Sequence, residues 1–165
     1  MKKESLQIAI ENEAREEKYY LAQAERSRNP VVKRLLHHLA EEELAHQEWI
    51  SKRHRYMLET GQWPEHIELE PSGQSLRDAM RSIDYRNEKT SLHDDDDIAC
   101  LNRAAQFEME AAEFYSRLAR DSNSPREQSF FSYLAKMEQD HMASIRDSLA
   151  YLEDPEGYFL SKADH

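Results

Sequence analysis

One cysteine, three glycines and five prolines among 165 residues restrict what this chain can be. A lone Cys100 cannot close an intramolecular disulfide, and with no Cys-x-x-Cys pair neither a zinc ribbon nor a thiolate-held iron centre can form. Cys100 is expected to be a small buried apolar residue. The scarcity of Gly and Pro, in a chain rich in Glu, Ala, Leu, Arg and Gln, favours helices over sheets. No stretch approaches the roughly 20 apolar residues of a membrane span. The N-terminus, Met1-Lys2-Lys3-Glu4, opens on charge and never develops an apolar run of signal-peptide length. A soluble, cytoplasmic protein without membrane contact is expected.

Positive charge is also short. The chain carries 22 basic against 33 acidic residues, a net −11, and no basic stripe interrupts the acidic excess. Nucleic acid is excluded as a partner on that ground, because phosphate binding needs clustered Lys and Arg. An acidic excess has a use if carboxylates face inward, since they then need cations to balance them. At 19.5 kDa the chain is the size of one domain and buries about two-thirds of its unfolded surface.

Against these absences stands a repeat. Glu43-x-x-His46 and Glu138-x-x-His141 lie 95 positions apart, and each follows a Glu and a Tyr spaced by seven, Glu13/Tyr20 and Glu108/Tyr115. Residues 6–50 align with 101–145 at that offset without a gap and share twelve identities in 45 positions. Chance gives about three at ordinary residue usage. Each half reads as one helical hairpin, and the chain as two. The turns fall at Asn29-Pro30 and Ser124-Pro125, where a capping side chain precedes a proline suited to the first helical position.

The predicted helices cover about 4–27, 30–58, 96–121 and 125–152, with a connection over 59–95 and a tail over 153–165. Thr60-Gly61-Gln62-Trp63-Pro64 and Pro71-Ser72-Gly73 break the connection, and Ser75 caps a short predicted helix reaching Asn87. Because both hairpins are tight, the connection is expected to cross the length of the bundle. Asp94 to Asp97 suits the positive end of the third helix and lacks the Gly spacing of a calcium loop.

Steps of four and three along each helix give its inward stripe. The first reads Leu6, Ile10, Glu13, Glu17, Tyr20, Ala24, and the third reads Leu101, Ala105, Glu108, Ala112, Tyr115, Ala119. The second reads Val32, Leu36, Leu39, Glu43, His46, Ile50, and the fourth Phe131, Leu134, Glu138, His141, Ile145. In all four, ionisable groups interrupt an apolar stripe near its middle. One Glu-x-x-His pair is ordinary on a solvated face; two, in register with two upstream Glu on inward stripes, are not.

Four buried carboxylates are costly unless cations sit among them. Glu13, Glu43, Glu108 and Glu138 balance two divalent ions if His46 and His141 stay neutral. Mixed carboxylate and imidazole donors suit iron or manganese, and di-iron and di-manganese bundles use this arrangement of Glu and Glu-x-x-His. Tyr20 and Tyr115 either hydrogen-bond the ligating carboxylates or fill the core. Glu17 lies on the stripe where its repeat partner is Ala112, as an extra ligand, a proton carrier or a rim residue; Glu16 lies one position off it. His37, His38, His54, His66, His93 and His165 have no partner in the repeat and are treated as ordinary histidines.

At these residues the chain resembles the ferritin-like superfamily, and within it the rubrerythrin-like branch, over nearly all of residues 4–152. The motifs that carry the resemblance are Glu13 to Tyr20, Glu43-Leu44-Ala45-His46, Glu108 to Tyr115 and Glu138-Gln139-Asp140-His141. It implies an all-α, ferritin-like four-helix bundle with two iron ions, Glu43 and Glu138 bridging them and Glu13, Glu108, His46 and His141 as terminal ligands. It implies oxidoreductase chemistry with hydrogen peroxide, oxygen or ferrous iron, as a peroxidase or ferroxidase. Rubrerythrins proper add a rubredoxin domain with paired Cys motifs, absent from this sequence, so a peroxidase would need a separate electron-donor protein. They also commonly carry a further Glu one turn after the third-helix ligand, where this chain has Ala111. Bacterioferritins place a haem-binding Met directly after the second-helix Glu; here Leu44 stands there, and no haem is expected. An enzyme of this kind is expected to be a homodimer. The alternatives are a subunit of a ferritin-type storage assembly and a metal-binding bundle without catalysis.

Overall fold

Each hairpin turns where a polar side chain meets a proline. In the computed structural model, which describes residues 2–65 and 95–163, α1 spans Lys2–Arg26 and α2 spans Pro30–Thr60. Asn29 between them is extended, and its side chain accepts from Val31 N at 2.9 Å and Val32 N at 3.3 Å, satisfying donors that the helix itself leaves open. The second hairpin joins α3, Asp95–Arg120, to α4, Pro125–Glu153, and Ser124 accepts from Glu127 N at 3.4 Å. Helix α2 stops at Gly61, whose φ of 72° is left-handed and whose N–H donates to Met57 O at 2.9 Å. No strand occurs among the described residues.

Contacts across the bundle fix its directions. Tyr20 of α1 bonds Glu108 of α3 while Tyr115 of α3 bonds Glu13 of α1, so α1 and α3 are antiparallel. His46 approaches Glu138 while His141 approaches Glu43, so α2 and α4 are antiparallel too. Since each hairpin is antiparallel, α2 and α3 run the same way. The end of α2 and the start of α3 therefore sit at opposite ends of the bundle, roughly 40 Å apart at the helical rise. The connection over residues 66–94, with the short helix expected from Ser75 to Asn87, lies outside the described residues.

The apolar interior is split in two. One cluster packs Tyr20, Val32, Leu36, Leu39, Leu101, Ile145 and Leu149. The other packs Leu6, Trp49, Ile50, Tyr115, Phe130, Phe131 and Leu134, with Trp49 stacked on Phe130 at 4.5 Å. Between these two plugs lie the inward ionisable groups, shielded from water at both ends.

Residues 155–163, read from sequence as tail, form a short helix α5, Pro155–Ala163. Asp154 Oδ1 accepts from Gly157 N at 3.0 Å and Tyr158 donates to Asp147 Oδ2 at 2.8 Å, so the segment is capped and tied to α4. Asp154-Pro155 repeats the cap-then-proline signal of the two hairpin turns, yet lies beyond the 101–145 repeat that organised the sequence reading.

Candidate metal centre

The six residues of the duplicated motif meet at the middle of the bundle. Glu13, Glu43, Glu108, Glu138, His46 and His141 come from four different helices, and none is more than 4% exposed. His46 Nδ1 lies 2.9 Å from Glu13 Oε2, 3.2 Å from Glu43 Oε2 and 3.3 Å from Glu138 Oε1. His141 Nδ1 lies 3.1 Å from Glu43 Oε1, 3.3 Å from Glu108 Oε2 and 3.5 Å from Glu138 Oε2. Glu43 and Glu138 thus each present one oxygen to each ring, the disposition of a bridging carboxylate.

A ring nitrogen offers one proton or one lone pair, so it can satisfy one of three converging oxygens. Neither oxygen of Glu138 accepts a hydrogen bond, and neither does Glu43 Oε1. A divalent cation held in each cluster would balance these oxygens together. The ligand atoms of Glu13, Glu43, His46 and Glu138 lie within 4.8 Å of one another, as do those of Glu43, Glu108, Glu138 and His141. Two groups sharing two carboxylates fit a pair of hard or borderline cations with oxygen and imidazole donors.

The electrostatics show how unsettled the cluster is without such ions. Burial, then Glu138 and Glu43, push the Glu13 carboxyl well above its ordinary range. Burial also raises Glu108, reinforced by Glu43 and Glu138 against the opposing His141. For Glu43 burial pulls upward, but His141 and His46 outweigh it and hold the carboxyl well below the usual range. Glu138 is lowered too: burial and Glu43 oppose, and the two nearby imidazoles prevail. Burial works against charge on the imidazoles, yet the surrounding carboxylates raise both of them.

The tyrosine hydroxyls cross between halves: Tyr20 donates to Glu108 Oε1 and Tyr115 donates to Glu13 Oε1. Burial and these carboxylates raise both phenols, so they remain protonated donors. Both tyrosines therefore hold a carboxylate of the centre while also packing in the apolar plugs.

Helix α1 departs from the expected stripe. Ala9 and Glu16 are buried, while Ile10 and Glu17 are half-buried. Glu17 Oε2 accepts from Gln47 Nε2 at 2.9 Å on the flank between α1 and α2, away from the six-residue cluster. Glu16 is 8% exposed, its Oε2 has no hydrogen-bond partner, and burial followed by Glu43 and Glu108 raises its carboxyl. The two 3-4 stripes through Glu13 differ by one position, and a helix that must face both α2 and α3 turns the 16 position inward. Glu42 carried no sequence signal beyond its place four residues before His46, yet its Oε2 lies 3.3 Å from His141 Nε2. Cys100 is half-buried, not fully buried, at the bundle flank, with Tyr19 donating to its carbonyl at 3.2 Å.

Comparison with protein families matches Rubrerythrin over residues 4–149. The chain belongs to the rubrerythrin family. No curated protein and no solved structure matches it. As a rubrerythrin-family chain it is an all-α, ferritin-like helical bundle, as the sequence motifs implied, and it carries carboxylate and imidazole groups able to bind metal. Its 165 residues contain no paired-cysteine motif of the rubredoxin kind. Among the described residues no helix is long and apolar enough to cross a membrane.

Proposed function

We propose that this rubrerythrin-family chain is a di-iron carboxylate oxidoreductase that reduces hydrogen peroxide, or oxidises ferrous iron with peroxide or oxygen. The observation that carries the reading is the pair of four-residue groups sharing Glu43 and Glu138. Glu13 and His46 complete one position, and Glu108 and His141 the other. Two iron ions held by these six residues would supply the two electrons that, with two protons, convert one peroxide to two waters.

The protein's own share of the work is positioning, insulation and proton supply. The two apolar plugs keep bulk water from both ends of the centre. Tyr20 and Tyr115 fix the orientation of the terminal carboxylates Glu108 and Glu13. Glu16, buried beside the ligands with its Oε2 unpaired, is placed to hold a proton at that atom and release it inward. With no cysteine pair in the sequence, a peroxidase cycle takes its electrons from a separate donor protein. A homodimer in the cytoplasm, without haem, completes the reading; manganese is the alternative metal.

Iron-loaded protein supplied with a reductant should consume peroxide or ferrous iron catalytically. Iron-loaded protein that turns over neither would leave a metal-binding bundle without this activity. A solution mass many times 19.5 kDa would instead favour a storage assembly.

A further inference from the structure

A cleft of about 930 Å³ opens between the end of α1 and the start of α3. None of the six residues of the metal centre lines it, whereas Arg26, Arg28 and Arg103 do. All three arginines are exposed, and among the described residues no carboxylate pairs with any of them. Positive charge is the scarce kind in this chain, 22 basic against 33 acidic residues, yet three unpaired guanidinium groups converge on one concavity. Arg103 lies over the Phe107 ring, 5.3 Å from its centroid, which orients the guanidinium without neutralising it. Duplication does not account for these residues. In the repeat Arg26 corresponds to Asp121, Arg28 to Asn123 and Arg103 to Ile8, so the equivalent positions carry no positive charge.

We propose that this cleft binds a phosphate-bearing small molecule of mononucleotide size. Arginine suits phosphate because its planar fork makes paired hydrogen bonds to two oxygens of the same group. The volume sets the size of the ligand. It stands near the top of the about 300–1,000 Å³ of small-molecule sites, more space than inorganic phosphate alone would fill. Asp96 and Asp97 in the same lining disfavour a molecule that is anionic throughout and suit one that offers hydroxyl or amino donors away from its phosphate. Tyr19, held by its hydroxyl donating to Cys100 O at 3.2 Å, adds a fixed aromatic ring to the wall, and guanidinium planes stack on bases as rings do. A mononucleotide brings together the phosphate, the hydroxyl donors and the base that these groups match.

The test is calorimetric titration of the full-length, metal-loaded protein with adenosine, guanosine and cytidine 5′-monophosphates. At least one should bind at one molecule per chain, about tenfold or more tighter than its unphosphorylated nucleoside and than inorganic phosphate. Arg26→Gln, Arg28→Gln and Arg103→Gln should each weaken that binding about tenfold, and because all three side chains are exposed none of these changes opens the core. Arg120→Gln, exposed at the far end of α3, should bind as wild type does. No binding of any of the three nucleotides at millimolar concentration would overturn the proposal. Binding that survives all three cleft substitutions would also overturn it, by placing the nucleotide elsewhere, the metal centre included. A nucleoside that binds as tightly as its nucleotide would show that phosphate is not recognised, and inorganic phosphate that binds as tightly would leave an adventitious ion only; either result overturns it.

Discussion

Glu43 and Glu138 each divide their two oxygens between His46 and His141, which makes their loss unlike the loss of any other ligand. Replacing either by Ala should abolish tight binding of both ions, whereas Glu13→Ala or Glu108→Ala should weaken chiefly one; metal titration distinguishes the two patterns. Tyr115→Phe and Tyr20→Phe remove the hydroxyl that holds a terminal carboxylate and should each cost about 10- to 100-fold in metal affinity. The duplicated spacing made all six candidate ligands legible, because two Glu-x-x-His pairs at one offset define both residue type and phase. Glu16 and Glu17 show where that legibility stops. Adjacent helical positions differ by about 100°, and only the packing of α1 against two neighbours decides which of them turns inward. Glu42 was illegible for another reason: its partner is on α4, and no repeat counterpart marks it.

At the level of elements, the helix ends carry more of the fold's specification than the helix bodies do. Asn29 satisfies two N–H groups at the start of α2, so Asn29→Ala should cost about 1 kcal/mol, read as a lowered urea midpoint with unchanged slope. Gly61→Ala meets no atom within 4 Å, so its expected penalty of about 1 kcal/mol comes from the left-handed backbone alone. Both hairpin turns were readable from a cap followed by Pro. The same signal at Asp154-Pro155 begins α5, and it went unread because the segment follows the repeat. Propensity could not supply the antiparallel match of α1 with α3; the crossed tyrosine bonds do.

For the molecule as a whole, metal and protons compete for one buried cluster. In the metal-free protein Glu13, Glu16, Glu108, His46 and His141 all have raised values. Their contribution to stability is complete below the ordinary values, 4.5 for Glu and 6.5 for His, and is lost as pH rises through the folded ones. Glu43 and Glu138, lowered, act oppositely: their contribution is present above 4.5 and lost as pH falls through their folded values. Above 4.5 the lowered pair is ionised in both states and the raised groups govern, so metal-free protein should melt lower as pH rises from there, and metal-loaded protein should lose that dependence. At free metal 100-fold above Kd, each ion bound to the folded state should add about 2.7 kcal/mol, or roughly 5–10 °C in Tm per ion. An unchanged Tm on metal removal would mean that the carboxylates are solvated. The most direct test of the dinuclear centre is anomalous scattering at the iron edge from crystals of iron-loaded protein. Two peaks per chain, each within bonding distance of both Glu43 and Glu138, are predicted; a single peak, or peaks away from these two carboxylates, would contradict the account.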